Sequence, residues 1–159
     1  MKTLEKISLM LNQALTWIAG FLLGGMILLT CANIFLRLVW TPVRGTYELM
    51  GYAGAVTIAF VIGYTQIEKG HIAVDILVKC FSVKVQKIIS CINSAICLIF
   101  FSLAGWQIVK IGTNLMQTGE TSETLRIVYY PFTYCVAIGC FLLALVMLVE
   151  FLNNLMVVK

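Results

Sequence analysis

The chain has 159 residues and a net charge of +4, and 61% of its residues are hydrophobic while only 11% are charged. Soluble domains carry about 25% charged residues, so this composition excludes a soluble globular protein. The basic residues flank apolar stretches. We therefore attribute the positive charge to residues that lie near lipid, and it does not indicate nucleic-acid binding.

Four stretches of the chain contain no Asp, Glu, Lys, Arg or His. Each has roughly the 20 residues that a helix needs to cross the hydrocarbon core of a bilayer. We therefore predict an all-α integral membrane protein, built as a single four-helix domain over residues 1–159. The uncharged stretches are 7–36, 49–67, 88–109 and 127–149, and the transmembrane helices predicted from them cover about 12–37, 46–67, 88–110 and 128–150.

The first apolar stretch follows Lys2 and Lys6, as the apolar region of a signal peptide would. It is too long for such a region, and no cleavage site made of small residues closes it. We therefore expect this segment to remain in the mature protein as a transmembrane helix.

Basic residues predict the orientation, because they accumulate in the cytoplasmic loops of membrane proteins. Four crossings place both termini and the loop after the second helix on one side, which we predict to be the cytoplasm. Seven basic residues lie on that side and four on the other. The seven are Lys2, Lys6, Lys69, Lys79, Lys84, Lys87 and Lys159, and the four are Arg37, Arg44, Lys110 and Arg126.

The second predicted helix carries a small residue at every fourth position: Gly51, Ala55, Ala59 and Gly63. Helices associate in lipid mainly through close backbone approach, which small residues permit. This stripe is therefore a candidate interface with another membrane subunit. Internal packing among the four helices explains it equally well, and the sequence leaves both interpretations open.

The segment after the second helix is rich in charged residues and is predicted to form an amphipathic helix over about 71–87. Its polar residues recur at spacings of four, three and four, which places them on one helical face. Such a helix lies in the membrane interface, with its basic side chains near anionic lipid headgroups. The residues expected at the headgroups are Lys79, Lys84 and Lys87.

Glu68, His71 and Asp75 could share one face of this segment, because they are three and four residues apart. One histidine with two carboxylates lacks the ligand number of a convincing zinc site. We favour helix capping and salt bridging for these residues, and we predict neither a metal nor a cofactor.

Several functional classes lack the residues that they require. No charged residue falls in the middle of a predicted span, which argues against a self-sufficient ion-coupled transporter. The six cysteines form no C-x-x-C motif, one histidine cannot supply paired haem ligands, and no catalytic constellation is present. We therefore predict that the chain is not an enzyme. A small multidrug-type transporter acting as an oligomer and a membrane anchor for a redox enzyme remain as alternatives.

Short motifs at the helix ends resemble those of the small membrane subunit of tripartite ATP-independent periplasmic (TRAP) transporters, the DctQ-like family. The resemblance covers the whole chain in length, helix number and order of motifs. The motifs are Asn33-x-x-x-Arg37, Gly45-x-x-Glu48-Leu49, Gly70-His71-x-x-x-Asp75, Leu125 and Pro131.

The resemblance implies an accessory scaffold subunit in a bacterial inner membrane. Its partners would be a large membrane subunit, which carries the substrate and sodium sites, and a periplasmic binding protein, which delivers an organic anion such as a C4-dicarboxylate or sialic acid. Membrane lipids would be further partners, and no nucleic acid is implied. The motif residues Asn33, Arg37, Glu48, His71 and Asp75 would have structural or interface roles.

Overall fold

The computed structural model describes the backbone of residues 2–70 and 82–158, and the side chains of 4–70, 82 and 85–154. These parts form four α-helices: α1 (Lys2–Val39), α2 (Thr46–Ile67), α3 (Val83–Thr118) and α4 (Tyr130–Val158). All four are long and apolar enough to cross a membrane. The prediction of an all-α fold with four long apolar helices is therefore confirmed for the described residues.

The helices differ in length, and α2 is the shortest. Its 22 residues extend about 33 Å at roughly 1.5 Å per residue, which is close to the thickness of a bilayer's hydrocarbon core. The 38 residues of α1 and the 36 of α3 extend about 57 and 54 Å at the same rise, so both helices exceed that thickness even at a tilt of about 40°. The ends of α2 therefore mark the two membrane boundaries most directly.

The predicted interfacial helix over 71–87 falls largely outside the described residues, which exclude 71–81. Its last part, residues 83–87, belongs to α3, which begins at Val83 after Ser82. Lysine and glutamine are good helix formers, so the charged residues at this point do not interrupt the helix. Helix α3 thus begins five residues before the uncharged stretch 88–109 from which it was predicted.

The four helices pack in the spatial order α1, α2, α4, α3. Helix α4 packs along both α3 and α2, α2 packs along α1, and α1 approaches α4 at few positions. Helix α3 consequently has its principal neighbour on one side only. Its exposed apolar side chains, and those of α1, are available to lipid or to another subunit.

The centre of the bundle lies where α1, α2 and α4 meet. Ala19, Val56 and Phe60 form a buried cluster, and Leu143 on α4 is 1% exposed. The phenol ring of Tyr52 stacks on Phe132 with ring centroids 5.3 Å apart, so α2 and α4 are also joined near their N-terminal ends. Further residues packed against the buried cluster are Leu15, Leu22, Val61, Cys135 and Val136.

Candidate functional site

Two connections, the α1–α2 turn and the α3–α4 loop, meet at one end of the bundle. Asn33 on α1 accepts a hydrogen bond at its Oδ1 from the backbone N–H of Val43, at 2.9 Å. Gly45 then takes a left-handed conformation with φ of 73°, immediately before α2. The Asn33 contact therefore stabilises the turn, which is consistent with the structural role implied for this residue.

Glu48, in the first turn of α2, joins this turn to the distant loop between α3 and α4. Its Oε1 accepts the backbone N–H of Thr124 at 2.8 Å, and its Oε2 accepts that of Leu125 at 3.1 Å. Hydrogen bonds to an ionised carboxylate are stronger than those between neutral groups. We call this arrangement the Glu48 clamp.

The Leu125 side chain reinforces the Glu48 clamp. It occupies the space that a Cβ on Gly45 would fill, so a larger residue at position 45 would collide with it. Gly45 also has a positive φ, which L-residues with a side chain adopt at a cost. Leu125 thus contacts both Gly45 and Glu48, although it lies 77 residues after Glu48 in the sequence.

The loop beyond the Glu48 clamp has its own internal order. Thr121 and Val128 form an isolated antiparallel bridge, and the Tyr129 hydroxyl donates to the Glu120 carboxylate at 2.6 Å. This hydrogen bond raises the pKa of the Tyr129 phenol, because it stabilises the neutral form. Arg126 has φ of 53°, an uncommon conformation for a residue other than glycine.

The small-residue stripe of α2 does not face one neighbour along its whole length. Gly51 and Ala55 are exposed, whereas Ala59 and Gly63 are buried inside the bundle. A row of every fourth residue winds around a helix by about 40° per step, because one turn takes 3.6 residues. The stripe therefore presents one half to the outside and one half to other helices of the chain.

The buried half of the stripe contacts both α4 and α1. A Cβ on Gly139 of α4 would collide with the backbone carbonyl of Ala59, and one on Gly63 would collide with the Oδ1 of Asn12 on α1. Asn12 is 1% exposed and donates through Nδ2 to the backbone oxygen of Ser8 at 2.9 Å. Gly63 therefore leaves room for the Asn12 side chain between α1 and α2, and Gly139 lets the backbones of α2 and α4 approach closely.

The other predicted site residues lie at the end of α1, at the start of α3 or outside the described residues. Arg37 is exposed in the last turn of α1, where a cation complements the negative end of the helix dipole. Lys87 is half-buried on α3. Lys84 lies in the helical part of α3, but its side chain is not among those described. The predictions for His71, Asp75 and Lys79 fall outside the described residues.

A second polar cluster, which the sequence did not predict, lies at the opposite end of the bundle. Gln66 donates to the Glu150 carboxylate at 3.0 Å, and Asn153 donates to the Glu5 carboxylate at 2.6 Å. These bonds join α2 to α4 and α4 to α1. The only sequence signal was the presence of polar residues near three helix ends, and it did not indicate which ones would pair.

Comparison with known proteins relates most of the chain to one family. The family model described as tripartite ATP-independent periplasmic transporters, DctQ component, matches residues 26–156. The match includes the Glu48 clamp, the last part of α1, all of α2 and α3 and most of α4. None of the curated proteins and none of the solved structures matches the chain.

Proposed function

Because the chain belongs to the DctQ family, the small membrane component of TRAP transporters, we propose that it is an accessory scaffold subunit bound to the large membrane subunit of such a transporter. The family match over residues 26–156 carries this proposal. The absence of any charged residue within 7–36, 49–67, 88–109 and 127–149 supports it, because an ion-coupled carrier usually has ionisable groups within the membrane.

The transport reaction itself belongs to the partners in this proposal. A periplasmic binding protein delivers an organic anion, a C4-dicarboxylate, sialic acid or a related carboxylate, and the large subunit imports it with sodium. The small subunit holds the static part of the large subunit in the bacterial inner membrane. Both of its termini face the cytoplasm, because the basic residues concentrate on that side.

The exposed half of the α2 stripe is the surface that we propose for the large subunit. A Cβ placed on Gly51 would have no neighbouring atom within 4 Å, and Ala55 is exposed on the same side of α2. Close approach of a partner helix at these two residues would bury flat backbone surface, which is the main source of association in lipid. Ala59 and Gly63 support that surface from within, through α1 and α4.

Reconstitution tests whether transport requires the other subunits. The chain alone in proteoliposomes should give no uptake of a radiolabelled organic anion, because it has no ion path of its own. Uptake should appear when the large subunit, the binding protein and an inward sodium gradient are present together. Uptake by the lone chain would contradict the scaffold proposal and would favour an independent small transporter.

Bulky substitutions test the proposed surface on α2. Gly51→Leu and Ala55→Leu should each lower co-purification with the large subunit by roughly tenfold or more, since the added side chain separates the two backbones. The matched control is Ala32→Leu, which adds the same volume to an exposed position of α1. Unchanged complex yield in both α2 variants would exclude this half of the stripe from the interface.

A further inference from the structure

A cavity with charged and apolar walls lies between α1, α2 and α4, at the end of the bundle where α1 begins and where α2 and α4 end. Its volume is about 390 Å³, within the range of small-molecule sites. Three charged residues line it: Glu5, Glu150 and Lys69. We call it the α1–α2–α4 pocket.

The two carboxylates of the pocket are held in place by neutral donors. Asn153 binds one oxygen of Glu5, and Gln66 binds one oxygen of Glu150. An amide donor fixes the direction of a carboxylate but leaves its charge uncompensated, and each carboxylate can accept several further hydrogen bonds. The pocket is thus preorganised for a ligand that carries a cationic N–H donor.

Lys69 adds a basic residue to the wall, and its backbone is fixed at the end of α2. Its backbone N–H binds the carbonyl of Gln66 at 3.0 Å, and the N–H of Gly70 binds that of Thr65 at 2.8 Å. These bonds close the C-terminal end of α2, with Lys69 at φ of 51°. A lysine beside two carboxylates suits a zwitterion better than a metal ion, and no described group of three ligands is placed to hold a metal.

The position and the apolar wall of the pocket identify the kind of zwitterion. Helix α2 extends about the thickness of the hydrocarbon core, so Gln66 and Lys69 at its end lie at the level of the lipid headgroups. Leu9, Ile67 and Val146 line the same cavity. A phospholipid offers a charged headgroup joined to an apolar body, which matches both kinds of wall.

We propose that the α1–α2–α4 pocket binds a phospholipid whose headgroup carries a primary ammonium and a phosphodiester, as in phosphatidylethanolamine. The ammonium donates to Glu5 and Glu150, and the phosphodiester accepts from Lys69. The glycerol and the first acyl carbons lie against the apolar wall. This binding does not depend on the large subunit or on transport.

Lipid competition tests the proposal on the full chain. The chain is placed in nanodiscs with equal amounts of phosphatidylethanolamine, phosphatidylcholine and phosphatidylglycerol of matched acyl chains, and the retained lipids are then quantified by native mass spectrometry. Phosphatidylethanolamine should be retained over phosphatidylcholine, because a quaternary ammonium has no N–H to donate. Equal retention of these two lipids, or a preference for phosphatidylglycerol, would overturn the proposal.

Substitutions in the pocket test whether a preference for phosphatidylethanolamine arises there. Glu150→Gln should lower the retained ratio of phosphatidylethanolamine to phosphatidylcholine by about three- to tenfold, the range expected when an ionic hydrogen bond is lost at a partly hydrated site. Glu5→Gln should do the same, and Lys69→Gln should lower both lipids together. Glu123→Gln, which removes a carboxylate from the α3–α4 loop, is the control and should change nothing.

The ratio of two lipids also separates binding from folding. A variant that is partly unfolded retains less of both lipids, and only a lost ammonium contact changes their ratio. A preference that survives the double substitution Glu5→Gln and Glu150→Gln would place the lipid elsewhere on the chain and refute the pocket.

Discussion

Replacing Glu48 with glutamine should release the α3–α4 loop from the start of α2. The carboxylate accepts two backbone N–H groups, from Thr124 and Leu125. A glutamine keeps one acceptor oxygen but turns an NH₂ group toward the second N–H, where two donors face each other. The amides of Thr124 and Leu125 should then exchange hydrogen faster, on the order of tenfold, in exchange measurements by mass spectrometry.

The consequence should extend beyond the two amides. Gly45 and Leu125 touch only while the loop lies against the turn, so the N-terminal end of α2 and the bridge between Thr121 and Val128 should loosen together. We expect a lower yield of monodisperse protein and weaker assembly with the other transporter components. The backbone amides in the rest of α2 and α4 should stay protected from exchange, because those parts of the helices pack around the buried cluster at the centre of the bundle.

Two variants show whether the effect belongs to the Glu48 clamp. Glu123→Gln changes the same charge one residue before Thr124, on an exposed side chain, and should leave the exchange rates unchanged. Glu48→Asp keeps the charge but shortens the side chain, so it should give an intermediate effect. Equal protection of Thr124 and Leu125 in the wild type and in Glu48→Gln would show that the carboxylate does not hold the loop.

The architecture could be predicted because the bilayer imposes a simple rule on the sequence. A spanning helix must be long and uncharged, and four stretches of this chain meet that condition. The ends of the helices follow a different rule, since a charged residue does not stop a helix that continues into water. Lysines at positions 84 and 87 therefore lie within α3, and Lys6 lies within α1.

The contacts at the two ends of the bundle could not be predicted in the same way. The resemblance implied only a structural or interface role for Glu48. The hydrogen bond that its carboxylate accepts from Thr124, 76 residues away, depends on how α3 and α4 bring that loop back to the start of α2. Similarly, Gln66 and Glu150 pair across 84 residues. Such pairs follow from tertiary packing, and no local spacing in the sequence encodes them.

The α2 stripe shows how a local pattern can be correct and still ambiguous. The spacing of Gly51, Ala55, Ala59 and Gly63 indicates close helix packing, and Ala59 and Gly63 do lie at close contacts inside the bundle. The winding of the row around α2, and not the residue types, decides which members face inward. Whether Gly51 and Ala55 meet another subunit stays a prediction.

Replacing Gly139 with alanine should destabilise the chain, although alanine is the better helix former. Gly139 lies on α4 against the backbone carbonyl of Ala59, and an added Cβ would collide with it. A carbonyl cannot move aside as a flexible side chain can, so α2 and α4 must separate. Overpacking of this kind costs about 1–3 kcal/mol, which cancels or outweighs the gain of about 1 kcal/mol in helix propensity.

Gly24→Ala provides the matched control for this argument. Gly24 is also in a helix interior, on α1, but nothing lies within 4 Å of the position that a Cβ would take there. The substitution gains the same helix propensity without a collision, so its stability should stay equal or rise. Unfolding titrations in mixed micelles of the two variants separate the contact from the propensity. Equal stability in both variants would mean that α2 and α4 do not approach as closely as the glycine suggests. A loss of stability in Gly139→Ala alone would show that the close contact of Ala59, a member of the α2 stripe, with α4 stabilises the bundle.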